Sequence, residues 1–258
     1  MPKPALALRT ALLLALATAP LPTLAGPAEY VISLPTQGGR SEVDFGFGSH
    51  GGDGASGAFL GVGHSVTDRW FTEVLAKWSR EPGGGTTLEA WEWENRVRLT
   101  PASIDTDPDG DGDVHAANGF SAGLLLEIER PRERAEGYEL TYGPLMHYRR
   151  GAVEGTLNLL LQQHIDARTA HDTELHYQAQ LKYSASEALG WGVQAFGSVG
   201  RWNRWSAGRD QEHKVGPAAF GEVHLSQGRA LEWNAAVLFG ATQATPQTTL
   251  RLQLEYEF

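Results

Sequence analysis

The chain contains no cysteine, so no disulfide framework holds it together, even in an oxidising compartment. No segment approaches the ~18 to 20 continuous apolar residues that a membrane-spanning helix needs. Cationic side chains are scarce: 21 Lys and Arg stand against 31 Asp and Glu, for a net charge of −10. That balance excludes a basic nucleic-acid-binding face. Mean hydropathy is −0.31, too low for a bundle of membrane helices.

What is present begins with an export signal. Lys3 and Arg9 precede the short apolar run Ala11–Ala17, then Pro20, Pro22 and Thr23-Leu24-Ala25. A charged start, a brief hydrophobic core and small residues predict a secretory signal peptide over 1–25. The alternative, a retained anchor helix, is too short and too proline-broken to cross a bilayer. Residues 26–40 are then a short periplasmic segment, and 41–258 carry the fold.

From Ser41 onward apolar and polar residues alternate in segments of about ten, separated by Gly, Pro, Asp and Ser clusters. Twelve such strands are expected, near 41–49, 57–66, 69–79, 86–99, 119–130, 138–148, 152–165, 173–184, 190–201, 213–225, 230–241 and 248–258. Because strand side chains alternate between faces, Trp91, Trp93, Val97 and Leu99 oppose Glu92, Glu94, Arg96 and Arg98. Many aromatic residues, Trp70, Tyr148, Trp191 and Tyr256 among them, fall near strand ends, where a bilayer interface would hold them.

The final strand is the most regular. Leu250, Leu252, Leu254, Tyr256 and Phe258 share one face, and Arg251, Gln253, Glu255 and Glu257 share the other. This tail resembles the closing strands of Gram-negative outer-membrane β-barrels, whose terminal Phe is an assembly signal. The run Gln211–Pro217 resembles strand starts in proteobacterial barrels of the phenol-degradation MetA type. The resemblance to small outer-membrane channels and transporters implies an all-β, transmembrane, antiparallel up-and-down barrel of about twelve strands. Both termini would be periplasmic, because the strand number is even. It also implies an outer-membrane location in a Gram-negative bacterium. The expected partners are outer-membrane lipid and lipopolysaccharide, the barrel-assembly machinery acting on Phe258, and a small-molecule solute, with no nucleic acid. The final strand would close the barrel against the one near Ser41.

Charges on the lipid face are costly, so the ionic faces should point into the lumen. That assigns Glu92, Glu94, Arg96, Arg98, Glu127, Glu129, His176, Lys182, Glu222, His224, Arg251 and Glu255 to the interior. Two readings stay open. The charges pair across strands and fill the interior, or unpaired rings line a narrow selective pore.

The connector 100–118 is long and contains Asp105, Asp107, Asp109, Asp111 and Asp113, interleaved with Gly110 and Gly112. Alternate Asp before Gly opens a Ca²⁺ loop, yet the twelfth position is Ala116 rather than Glu. A weak Ca²⁺ site and a solvated acidic turn are both compatible with it. No other cofactor is expected.

Catalysis would need a His and a nucleophile on one face. His64-Ser65 are adjacent and point apart, while His164-x-Asp166 and His224-x-Ser226 sit at strand ends, so no catalytic residues are expected. The loop 202–211, with Trp202, Arg204, Trp205 and Arg209, could meet lipopolysaccharide phosphates or simply be exposed. The expectation is a channel or facilitator for small solutes. A non-conducting accessory barrel and a lipid-modifying enzyme are the alternatives.

Overall fold

The structure, a computed structural model, describes residues 28–35, 37–52, 54–101, 104–106, 114–116, 118–186 and 188–258. The expected signal peptide lies outside them, as do Asp107, Asp109, Asp111 and Asp113 of the acidic connector.

Twelve antiparallel strands close into one barrel. They are β1 (Ser41–Gly51), β2 (Ser56–Thr67), β3 (Trp70–Arg80), β4 (Thr86–Arg98), β7 (Gly119–Pro131), β8 (Tyr138–Arg150), β9 (Val153–Ile165), β10 (Glu174–Ser184), β11 (Leu189–Arg201), β12 (Glu212–Leu225), β13 (Arg229–Gly240) and β14 (Thr248–Glu257). Every expected strand lies within two residues of these bounds. Between β4 and β7 the chain forms a separate hairpin, β5 (Ile104–Thr106) with β6 (Val114–Ala116), in which Asp105 pairs in register with His115. β4 and β7 still pair directly, Glu94 opposite Glu127, so the excursion leaves the wall unbroken.

Closure occurs between β1 and β14, with Glu42 opposite Glu257. Backbone hydrogen bonds from Ser41 N to Phe258 O and from Phe258 N to Ser41 O, at 2.9 and 2.8 Å, finish the seam. A closed sheet has no open edge, so no strand presents a row of unpaired backbone groups to the membrane. Short connections lie at one end, at 68–69, 151–152 and 226–228 and between β10 and β11, together with the β5–β6 excursion. Longer connections lie at the other, including 132–137, 166–173, 202–211 and 241–247.

The outer surface is apolar and exposed, with Leu60, Val62, Leu126, Leu181 and Leu250 on its mid-strand positions. Near the turn end Trp70, Phe120, Tyr148, Tyr183, Trp191 and Phe258 are all exposed and form an aromatic girdle. Tyr183 and Trp191, opposite each other on β10 and β11, have ring centroids 5.5 Å apart.

The buried residues therefore face the lumen, and the chain itself occupies part of that lumen. Ala28–Pro35, which belongs to the stretch read from sequence as a periplasmic segment, runs inside the barrel as an extended strap. Tyr30, Ile32 and Leu34 are buried against Phe59, Leu75, Leu125, Leu145 and Leu160, contributed by β2, β3, β7, β8 and β9. Val31, on the strap's other side, packs on Phe196, Ala218, Phe220, Ala236 and Leu238 of β11 to β13. Burying such side chains stabilises by about 1.5–3 kcal/mol each, which seats the strap without a strand ladder. Two wall glycines make room for this filling. A Cβ at Gly46 would collide with the Phe59 ring, and one at Gly61 with the Glu73 carboxylate.

Candidate functional site

Polar contacts fix the strap between its two apolar strips. The Ile32 N–H donates to Gln178 Oε1 at 3.1 Å, and Asn158 Nδ2 donates to the Ile32 carbonyl at 2.9 Å. Arg98 Nε donates to the Pro35 carbonyl at 2.8 Å, and its Nη1 to Ser121 Oγ at 3.0 Å. Glu29 meets Lys214 Nζ at 2.7 Å, close to where β12 begins at the loop end. The strap thus spans the lumen from the turn end, near Arg98, towards the loop end. Burial, reinforced by the Glu94 charge, pushes the Tyr30 hydroxyl well above its usual pKa, so it acts as a donor.

The ionic residues sort into two unlike halves. On β3, β4 and β7, Glu73, Lys77, Glu92, Glu94, Arg96 and Glu129 form ion pairs. Lys77 forms ion pairs with Glu92 and, at 2.8 Å, with Glu129. Arg96 pairs with Glu94 and, at 3.2 Å, with Glu73, and its guanidinium lies 4.6 Å from the centre of the Phe71 ring. The oxygens of Glu92, Glu127 and Glu129 lie within 4.8 Å of one another, a spacing that could hold a cation. The Lys77 ammonium already meets two of these carboxylates, so a lysine supplies the charge a metal would bring.

The other half, on β10 to β14 and β1, is organised around amides. Arg251 donates to Asn234 Oδ1 at 2.8 Å, to Gln253 Oε1 at 3.2 Å and to Gln194, with no carboxylate among these partners. Gln253 Nε2 in turn donates to Asp44 Oδ2 at 2.9 Å. Lys182 lies 5.7 Å from the Phe220 ring centre. Between this wall and the strap is a cavity of about 140 Å³, lined by Tyr30, Ser33, Asp44, Lys182, Glu232 and Glu255 among others.

The residues assigned to the lumen from sequence take these places. Glu92, Glu94, Arg96, Arg98, Glu127 and Glu129 lie in or beside the paired half, and Lys182, Glu222, Arg251 and Glu255 on the amide-rich wall. His176 and His224 sit nearer the two rims, 3.6 and 3.5 Å from Glu174 and Glu222. The strap, the two apolar strips and the amide cluster of Asn158, Gln194, Asn234 and Gln253 are additions. The wall residues among them occupy inward-phase positions of their strands, whereas the strap lies on no strand.

A Ser–His contact also occurs, between Ser41 Oγ and His64 Nδ1 at 3.0 Å, on the exposed surface beside the β1–β14 seam. Among the described residues no third side chain orients that imidazole.

No protein-family model matches the chain, and no curated protein matches its sequence. Solved structures do. The COG4313 outer membrane channel from Pseudomonas putida F1 is 12% identical, with 93% of this chain and 99% of that one covered and a TM-score of 0.57. The KdgM porin in complex with disordered oligogalacturonate is 10% identical, with 84% and 99% covered and a TM-score of 0.55. The NanC porin is 8% identical, with 84% and 98% covered and a TM-score of 0.54. The chain shares the fold of these outer-membrane porins. At such identities the likeness extends to the closed twelve-stranded wall and not to the residues inside it.

Proposed function

We propose that the protein is an outer-membrane channel of a Gram-negative bacterium that passes small polar solutes between the strap and the β10–β14 wall. The observation that carries this reading is the asymmetry of the lumen. One half is closed by apolar packing and crossed by ion pairs, while the other keeps a polar cavity of about 140 Å³. A twelve-stranded barrel is intermediate between those filled by side chains and those with wide pores. A lumen half filled by its own chain is a narrow conduit.

The apolar outer face and the girdle at its turn end suit contact with lipid, and loop 202–211 presents exposed Trp202 and Trp205 towards the loop-end surface. Phe258, sealed against Ser41, is the natural handle for the assembly machinery. The KdgM structure holds oligogalacturonate, a polyanion. Here the polar wall carries Asp44, Glu222, Glu232 and Glu255, so a polyanion is disfavoured as the solute.

Proteoliposome swelling tests the reading. Vesicles containing the protein should swell faster than empty ones in glycerol and show little gain in a trisaccharide; equal rates in glycerol would count against a channel. The packed strap also favours a second reading, a non-conducting accessory barrel, which the same equal rates would support. The Ser41–His64 pair would give a lipid-modifying activity a foothold, but an unoriented imidazole is a poor general base.

A further inference from the structure

The barrel's closing strands carry a row of carboxyl groups that, apart from the Glu222–His224 contact, no ion pair among the described residues compensates. In register, Glu222 of β12 stands opposite Glu232 of β13, Glu232 opposite Glu255 of β14, and Glu255 opposite Asp44 of β1. Four carboxylates on four consecutive strands thus face the same cavity. Like charges directly opposite one another are destabilising, so such a row needs a counter-charge.

The described residues supply little of it. None of their ion pairs includes Asp44, Glu232 or Glu255, and Glu222 meets only His224, at 3.5 Å. Two cations line the cavity, and Arg96 is already committed to Glu73 and Glu94. That leaves Lys182 against four carboxylates. A second observation points the same way. Asp44 is 2% exposed, and while its Oδ2 accepts from Gln253, its Oδ1 has no hydrogen-bond partner. A buried carboxylate oxygen without a donor is expensive unless something occasionally supplies one.

We propose that this cavity is a binding site for a small organic ammonium ion. A bare metal ion fits less well. The one cluster of carboxylates tight enough for a metal, among the described residues, is Glu92, Glu127 and Glu129 on the opposite wall. Dispersed carboxylates on four strands instead match a cation whose N–H donors spread over several ångströms. The Phe220 ring, also lining the cavity, offers an apolar face to its methylenes. At roughly 30 Å³ per water, the cavity holds about five, room for a solute of about that many non-hydrogen atoms.

The inference deepens the channel reading and rests on it, but its test measures binding and not passage. Titration calorimetry of the purified protein in detergent at low salt would compare 1,4-diaminobutane, 1,4-butanediol and succinate. The diamine should bind and the equally long diol and the anion should not. The Glu232→Gln/Glu255→Gln variant should weaken the diamine about tenfold, and Lys182→Gln, which removes the competing cation, should strengthen it several-fold. Heat-modifiable gel migration confirms that each variant is folded. Equal binding of diol and diamine, or unchanged affinity in the double variant, would overturn the site. Solute passage without amine binding overturns the site and leaves the channel standing. Amine binding without passage removes the channel and leaves a ligand-holding barrel.

Discussion

The Tyr30 hydroxyl donates to Glu94 Oε2 at 3.1 Å, joining the strap to the ion-paired half of the lumen. Glu94 also pairs with Arg96, so one carboxylate links the N-terminal segment to the charge network of the wall. The strap is therefore part of the folded interior, with one side packed shut and the other facing a polar cavity.

That two-sidedness can be measured by thiol labelling, because the chain has no cysteine of its own. Ser33 is exposed on the cavity side, whereas Ile32 is 3% exposed in the packed strip. A water-soluble thiol reagent should modify Ser33→Cys at least about tenfold faster than Ile32→Cys, whose reaction waits on local opening. Equal rates would mean that the strap does not stay seated.

Arg96 should matter to stability more than its single charge suggests. Arg96→Met leaves Glu73 and Glu94 buried without their cation, a loss of about 3–5 kcal/mol. Urea unfolding in detergent should show a clearly lower midpoint. Adding Glu73→Gln and Glu94→Gln should recover most of it, since the neutral groups no longer demand a counter-ion. A midpoint unchanged in the single variant would mean that these pairs do not hold the wall together.

The outer face makes a separate prediction. Leu126 is exposed near the middle of β7, and its neighbour Glu127 points inward. Leu126→Arg should cost about 2–4 kcal/mol on insertion into a bilayer. Folding yield into lipid vesicles should fall accordingly, while Gln180→Arg, directed at the acid-rich wall, should fold normally. If both fold equally well, the assignment of the two faces is wrong.

These contrasts also show why the wall was legible in sequence and its contents were not. A strand between lipid and lumen must alternate, so Leu250–Phe258 or Leu175–Tyr183 announces itself with a period of two. The strap, inside the lumen, is not bound by that rule. Tyr30, Ile32 and Leu34 pack on one strip, while on the strap's other side Val31 packs on a second strip, Glu29 meets Lys214 and Ser33 lines the cavity. Those strips are themselves assembled from single residues. Phe59, Leu125, Leu145 and Leu160 each sit alone on an otherwise polar or glycine-rich face, Leu75 shares its face with Phe71 and Glu73, and only closure of the barrel brings them together. The charges behave similarly. Sequence places Glu94 and Arg96 on one face, but the register that brings Glu73 to Arg96 and leaves Glu232 opposite Glu255 is a property of strand pairing.

The central claim is that a half-filled lumen still conducts. Planar-bilayer recording of the full chain beside a variant lacking residues 28–35, in a potassium chloride gradient, tests it most directly. The account predicts a small conductance with a cation-favouring reversal potential in the full chain and a larger one in the shortened chain. Silence from the folded full chain, whether or not the shortened chain conducts, would contradict it.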